Sequence, residues 1–328
     1  MKRGILLMNT GSPDAPTEEA LRIYLEEFLM DPFVIDLPLP LRYALVHWAI
    51  LPKRPAQSAE AYQAIWTENG SPLVHYCTRL ADGLGAEVGM AYGTPSFKQA
   101  TENLLAQGVD EICLLPLFPQ YAMATVGSCV AGVKKVLGNR VTLRVAPPFY
   151  REPTYIQPLA DALKEVDEHI LFSYHGLPER HLKKTDPTGG HCLASANCCT
   201  TESPAHATCY RHQCFETTRA VVEAAGIPPE RYSVSFQSRL GRAKWMEPYT
   251  DAVLQELPTR GIKQLAVICP AFFCDCLETL EEIELRGQET FLEAGGESFR
   301  MIPCLNDTPA AFQCLEQLIK NAGQWPAL

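Results

Sequence analysis

Three sets of residues in this sequence have types and spacings that could do chemistry. The first is His175, within Ile170-Leu171-Phe172-Ser173-Tyr174-His175-Gly176-Leu177-Pro178-Glu179-Arg180. The apolar run reads as a buried strand. Gly176 and Pro178 stop it and turn the chain. His175 is thereby delivered to the carboxyl end of a strand, where open α/β sheets take their ligands. A neutral imidazole titrates close to physiological pH, so it can accept a proton or hold a metal. The plain alternative is a satisfied histidine in a strand-to-loop turn. The second set is Glu278, Glu281 and Glu282, at i, i+3 and i+4 of an expected helix. Like charges crowded on one helix face cost roughly a few tenths of a kcal/mol. Such a run is either a solvated acidic face or a path for cations and protons. The third set is cysteine: of thirteen in the chain, Cys192, Cys198, Cys199 and Cys209 fall between Asp186 and Tyr210 in the pattern C-x5-C-C-x9-C. Without a secretory signal, a cytosolic metal or redox site is expected there rather than a disulfide scaffold.

The elements that must position these groups fit a chain of 328 residues with 47% hydrophobic content, enough for two ordinary domains. Charged residues make up 20% with no low-complexity tract, which argues against broad disorder. A net charge of −10 and a pI near 5.4 argue against a nucleic-acid partner, which would need a basic face. The basic-then-apolar start, Met1-Lys2-Arg3-Gly4-Ile5-Leu6-Leu7-Met8-Asn9, is too short in its apolar part for a signal peptide and reads as the first strand. No apolar segment approaches the ~18 residues needed to span a bilayer. The expected location is the cytoplasm, with peripheral contact at the inner membrane and a homodimer both left open.

Strands and helices alternate along the chain. Strands are expected at Gly4 to Met8, Val88 to Tyr92, Val109 to Leu115, Val141 to Ala146, the run ending in His175, Tyr232 to Gln237, Leu265 to Cys269 and Ser298 to Ile302. Thr17 and Ser96 are placed to cap helices, and single helices are expected over Val126 to Leu137 and Leu277 to Phe291. Leu41 to Leu51 reads as a helix with an unusually apolar surface, packed in the core or else forming a lip over an apolar ligand or a membrane-facing patch. The alternation implies a doubly wound parallel sheet. An internal echo (Ile5 to Met8 followed by Gly11 and Pro13, against Ile170 to Phe172 followed by Gly176 and Pro178) suggests two similar α/β domains.

The set Ser173-Tyr174-His175-Gly176-Leu177-Pro178, Gln237-Ser238-Arg239-Leu240-Gly241 with Trp245, and Leu277-Glu278-Thr279-Leu280-Glu281-Glu282 resembles ferrochelatase, which inserts ferrous iron into a porphyrin. The likeness extends to Leu6-Leu7-Met8-Asn9-Thr10-Gly11-Ser12-Pro13, to Ser58-Ala59 with Tyr62, Ile65 and Trp66, to Gly70-Ser71-Pro72-Leu73, and to Leu115-Pro116-Leu117-Phe118-Pro119-Gln120-Tyr121 with Gly127-Ser128. No one of these is specific; their order along nearly the whole chain is. The resemblance implies two Rossmann-like, chelatase-type domains with parallel sheets facing a central cleft that holds the porphyrin. It places residues 1–147 with 305–328 in one domain and 148–304 in the other, with a cysteine loop at 186–210. His175 would be the active-site histidine and Glu278 its acidic partner, both also contacting the substrate iron. Thr10, Tyr121, Ser128, Phe149, Trp245 and Glu282 would bind substrate, although each aromatic is equally at home in a core. The sequence departs from the family at Cys276, where a histidine is frequent, and at Ala91, where an arginine is common before Tyr92.

In relatives without the cysteine insertion, the chain runs almost directly to the segment that here holds Cys214, which assigns Cys214 to the scaffold and keeps it only as an alternate ligand. The four inserted cysteines match the number for a 2Fe–2S cluster. A four-thiolate zinc site is the competing metal reading, and reduced surface thiols the bland one. The expected activity is that of a lyase carrying ferrous iron into protoporphyrin IX at the last step of heme biosynthesis. The alternatives are a coproporphyrin ferrochelatase, a cobalt or nickel chelatase acting on another tetrapyrrole, and a non-enzymatic iron- or cluster-binding sensor.

Overall fold

The computed structural model describes residues 2–239, 241 and 243–328. Leu240 of the Gln237-Ser238-Arg239-Leu240-Gly241 motif lies outside the described residues. Among the described residues are eight strands: β1 (Arg3–Ser12), β2 (Glu87–Gly93), β3 (Glu111–Pro116), β4 (Thr142–Val145), β5 (His169–His175), β6 (Tyr232–Gln237), β7 (Gln264–Ile268) and β8 (Ser298–Ile302). They form two parallel four-stranded sheets, ordered β2-β1-β3-β4 and β6-β5-β7-β8. The first strand of each set lies second in its sheet, so β1 and β5 are equivalents and the echo between Ile5–Met8 and Ile170–Phe172 is a topological one. Helices cover both faces of such sheets, so the inner strands carry runs of consecutive apolar residues instead of alternating. β3 is buried at every residue and β5 at all but its two ends.

The chain divides into two compact units, one of residues 1–118, 123–147 and 306–328, the other of residues 119–122 and 148–305. The first is cored by Leu6, Met8, Leu104, Ile112, Leu114, Val133 and Leu143. The second is cored by Leu171, Leu254, Leu265, Val267, Ile283 and Phe291. Each such side chain contributes about 1.5–3 kcal/mol on burial, which makes both sheets stiff platforms for the loops at their carboxyl ends. In the first unit the last helix, Pro309–Lys320, packs Phe312 where a Cβ on Gly83 would sit 2.4 Å from its ring. The tail then runs along β4, with Val145 N donating to Pro326 O at 3.1 Å and Leu328 N to Leu143 O at 2.9 Å. Glu111, buried at the start of β3, is held between Arg3 and Arg144.

Several helices differ from the sequence expectation in one respect. Leu277 to Phe291 is not a uniform α-helix: Leu277–Thr279 is α, Leu280–Gly287 is π and Gln288–Glu293 is α again. A π segment, Met123–Gly127, likewise precedes the α-helix Ser128–Leu137. A π turn takes in an extra residue because neighbouring structure holds it there, and a 3.6-residue pattern does not reveal it. The six-residue helix Glu179–Lys184 was not expected, being too short to show a period. The stretch around Leu41 to Leu51 corrects the core reading. It forms helix Leu39–Ala44 followed by π segment Leu45–Ile50; Val46 and Leu51 enter a core with Leu29 and Ile35, and Ile50 packs against it. Leu39 and Leu41 are each 60% exposed and Trp48 is 76% exposed.

Candidate active site

His175 is the last residue of β5 and lies opposite Gln237, the last of β6. Its Nδ1 is 2.6 Å from the carbonyl oxygen of Gly176. A carbonyl only accepts, so Nδ1 carries the proton and the lone pair of neutral His175 is on Nε2. The Phe272 ring stands at 64° to the imidazole, 6.3 Å between centroids. Gly176 is needed by close approach: its N–H donates to Gln237 O at 2.8 Å, and a Cβ built on it would meet that same oxygen at 2.8 Å. The ends of β5 and β6 are thus drawn together immediately beside the histidine.

The carboxylates come from the helix that follows β7. Cys276 is its N-cap, and a reciprocal capping box joins the Cys276 and Thr279 side chains to each other's backbone. The Thr279 hydroxyl also donates to the buried Asp275 carboxylate at 3.0 Å. This fixes the turn that presents Glu278. Gln237 Nε2 donates to Glu278 O at 2.7 Å, while the Ser238 N–H and hydroxyl donate to the two carboxylate oxygens of Glu282 at 2.9 and 2.5 Å. Burial pushes the Glu282 carboxyl above its ordinary range; the Ser238 hydrogen bonds and the His175 charge pull it back, and the Glu278 charge pushes it up again. The Glu282 carboxyl thus lies within electrostatic reach of both His175 and Glu278. Glu281, expected on the same face, instead pairs with Arg286 at 2.7 Å. The π turn explains the division: with about 4.4 residues per turn, position i+4 stays over i while i+3 swings away.

This group offers one imidazole lone pair and two carboxylates where strand ends meet a helix start, suited to taking up protons and contacting a cation. Among the described residues, no set of three or more His, Cys, Asp or Glu side chains is arranged to hold a metal ion. A family model described as ferrochelatase matches residues 2–323. The chain belongs to the ferrochelatase family. The ferrochelatase of Ectopseudomonas mendocina (strain ymp) is 49% identical over 335 residues, covering 98% of each chain. That of Azotobacter vinelandii is 48% identical, covering 97% of this chain and 98% of its own. Among solved structures, SirB from Bacillus subtilis with Fe3+ superposes with a TM-score of 0.57 at 12% identity over 99% of each chain, a likeness of fold.

Of the remaining residues that the ferrochelatase resemblance points to, Tyr121 and Trp245 belong with the histidine in the second unit and are partly exposed. The backbone of Tyr121 is tied to Gln213 Oε1 at 2.7 Å. Trp245 bridges to Pro178, and its ring lies 3.5 Å from a Cβ built on Gly176. Phe149 corrects the reading of it as a wall: it is 2% exposed, packed edge-on to Tyr155 and Phe273, and serves the core. Thr10 and Ser128 lie in the first unit. The Ser128 hydroxyl is buried and donates to Asp31 Oδ2 at 2.5 Å, and the same oxygen accepts from the Tyr92 hydroxyl at 2.7 Å. Burial and the Asp31 charge together push Tyr92 far above the usual phenol range. Neither Asp31 nor Tyr92 was singled out from the sequence as a site residue. Nor was Ser238, whose only signal is its place after a strand inside the Gln237-Ser238-Arg239 motif.

The cysteine loop begins on Asp186. Its carboxylate accepts from Thr188 N, Thr188 Oγ1, His191 N and Cys192 N at 2.7–2.8 Å, and the Cys192 N–H foremost holds it well below the carboxylate range. The carbonyl of Cys198 accepts from His191 Nε2 at 2.7 Å and His206 Nε2 at 3.0 Å, and that of Cys199 from His212 Nδ1 at 2.7 Å. Cys192, Cys198, Cys199 and Cys209 are all buried, which removes the reading of them as surface thiols. Cys198 and Cys199 Sγ are 3.9 Å apart. Hydrogen bonds link Cys209 to both Cys199 and Cys192; the Cys199 bond foremost lowers the Cys209 thiol and raises that of Cys199, while burial foremost, then the Cys209 charge, raises Cys192. Cys214 is fully buried in the scaffold helix beside Tyr210.

Proposed function

We propose that this chain is a lyase that inserts ferrous iron into protoporphyrin IX to give protoheme, the last step of heme biosynthesis. Metallation replaces two pyrrole N–H bonds with bonds to iron and releases two protons. His175 Nε2 accepts one proton from the ring side, its orientation set by the Nδ1–H bond to Gly176 O. Glu278 contacts the iron, and Glu282 carries the second proton away along the π segment. Each proton acceptor of this kind contributes about 10²–10⁴-fold in rate. Trp245, Tyr121, Thr10 and Ser128 are the further contacts to the macrocycle. The observation that carries the reading is an Nε2 lone pair, fixed by the 2.6 Å Nδ1 bond, at a strand end whose neighbour Gln237 holds Glu278 O and leads into Ser238, the donor to Glu282. Anaerobic incubation with ferrous iron and protoporphyrin tests it: porphyrin fluorescence disappears with the wild type, and His175→Ala slows this by about 10²-fold or more. Undiminished turnover in that variant removes His175 from the mechanism. Faster turnover with coproporphyrin, cobalt or nickel selects those alternatives, and no turnover with any of them selects the sensor.

We further propose that Cys192, Cys198, Cys199 and Cys209 hold a resident 2Fe–2S cluster. What supports this is the donor chemistry. Four buried thiols hydrogen-bond in one group, and the 3.9 Å between Cys198 and Cys199 Sγ is close to the ~3.8 Å separating sulfurs on a tetrahedral metal with bonds of about 2.3 Å. A bound cluster would supply one-electron redox chemistry or sensitivity to nitric oxide. The purified protein is then brown, with two irons per chain in excess of substrate; a colourless protein with one zinc selects the zinc site. The exposed apolar residues Leu39, Leu41, Tyr43 and Trp48 support peripheral membrane contact, checked by sedimentation with vesicles of anionic lipid.

A further inference from the structure

Ser238 stands out among residues that the proposed metallation steps do not use. Its φ is +67°, in the left-handed region that side chains rarely occupy and that glycine occupies freely. Among the described residues only Leu193 and Asn306 share this property without being glycine. A strained backbone persists where its surroundings over-determine it. The residue before it is fixed three ways: Gln237 O accepts from Gly176 N at 2.8 Å, Gln237 Oε1 accepts from Ser173 Oγ at 2.7 Å, and Gln237 Nε2 donates to Glu278 O at 2.7 Å. Had β6 run straight on, the Ser238 N–H and side chain would diverge, as they do in any strand. Turned left-handed, the N–H and the hydroxyl converge, one on each carboxylate oxygen of Glu282, at 2.9 and 2.5 Å. Glycine would supply the N–H and the turn without strain, but not the hydroxyl.

We propose that Ser238 is a positioning residue for metallation, its left-handed backbone retained so that N–H and hydroxyl together hold the Glu282 carboxylate in its working place. This rests on the reading of His175, Glu278 and Glu282 as the metallation group. A carboxylate held by one donor instead of two pivots about the remaining bond. A displacement of about 1 Å at a catalytic group costs about 10²-fold in rate.

The test compares wild type, Ser238→Gly and Ser238→Asn by thermal unfolding and by anaerobic turnover of ferrous iron and protoporphyrin. Ser238→Gly relieves the backbone, so its midpoint is unchanged or higher, while kcat falls about 10-fold or more with KM for porphyrin nearly constant. Asparagine tolerates the left-handed region and its amide can donate, so Ser238→Asn recovers most of the lost kcat. The proposal is overturned if Ser238→Gly keeps wild-type kcat, if it loses midpoint and activity together, if KM alone rises, or if Ser238→Asn is as slow as Ser238→Gly. Failure of the underlying reading looks different: the wild type itself does not consume porphyrin, or His175→Ala is not slowed.

Discussion

Adding one methyl group at Gly176 strikes the candidate site at its hinge. A Cβ there would lie 2.8 Å from Gln237 O, a backbone atom that also accepts the Gly176 N–H. Carbon and carbonyl oxygen rest at about 3.3–3.6 Å, so Gly176→Ala must open the β5–β6 ends by about half an ångström or more. Overpacking of this kind costs about 1–3 kcal/mol. The displaced groups matter more: the peptide on one side anchors His175 Nδ1, and Gln237 on the other side braces Glu278 O and leads into Ser238. With a misplacement of about 1 Å worth about 10²-fold, the half-ångström opening predicts a kcat loss of about 10-fold at temperatures where the variant is fully folded. The assay is loss of porphyrin fluorescence with ferrous iron under anaerobic conditions, paired with urea unfolding. Gly190→Ala is the control, since a Cβ there meets nothing within 4 Å. Wild-type kcat in Gly176→Ala, or a loss no larger than its unfolded fraction, would refute the reasoning.

Burial holds the Glu282 carboxyl above its ordinary value; its ionised form in the folded state is therefore a cost that grows as pH rises through the usual carboxylate range and is complete above the raised value. Glu282→Gln should unfold at higher urea than wild type at pH 8, with the advantage gone at pH 4, and should turn over more slowly. Glu111 behaves oppositely: the Arg3 hydrogen bond foremost, then that of Arg144, lowers its carboxyl against the cost of burial. Its stabilisation is present above the ordinary carboxylate range and lost as pH falls through the lowered one. Glu111→Gln should cost about 1–3 kcal/mol at pH 7 in urea unfolding, converging on wild type in acid. Trp48, 76% exposed, should tolerate Trp48→Ser within about 0.5 kcal/mol in solution, while binding to anionic vesicles falls.

The apolar runs ending at His175 and Pro116 mark strands of parallel sheets, because a strand covered on both faces reads as a nearly continuous apolar run. The same logic placed His175 at a strand end, and Thr17 and Ser96 at helix starts, where their hydroxyls accept from Ala20 N and Gln99 N at 3.3 Å. Local spacing also made a group of the loop cysteines. What local spacing lacks is any term for distant contacts. It put Glu281 with Glu278 and Glu282, because it assumes 3.6 residues per turn where the chain takes a π turn over Leu280–Gly287. It offered Phe149 as a ligand wall or as a core residue without choosing, because an aromatic's neighbours are chosen by the fold, here Tyr155 and Phe273. It passed over Ser238, since a backbone turned to φ +67° is set by the bonds that pin Gln237 on one side and the Glu282 carboxylate on the other. The chain's own order determined which elements form and which residues stand at their ends; only the tertiary structure decided which of those ends meet, because that depends on side chains that are remote in sequence and adjacent in space.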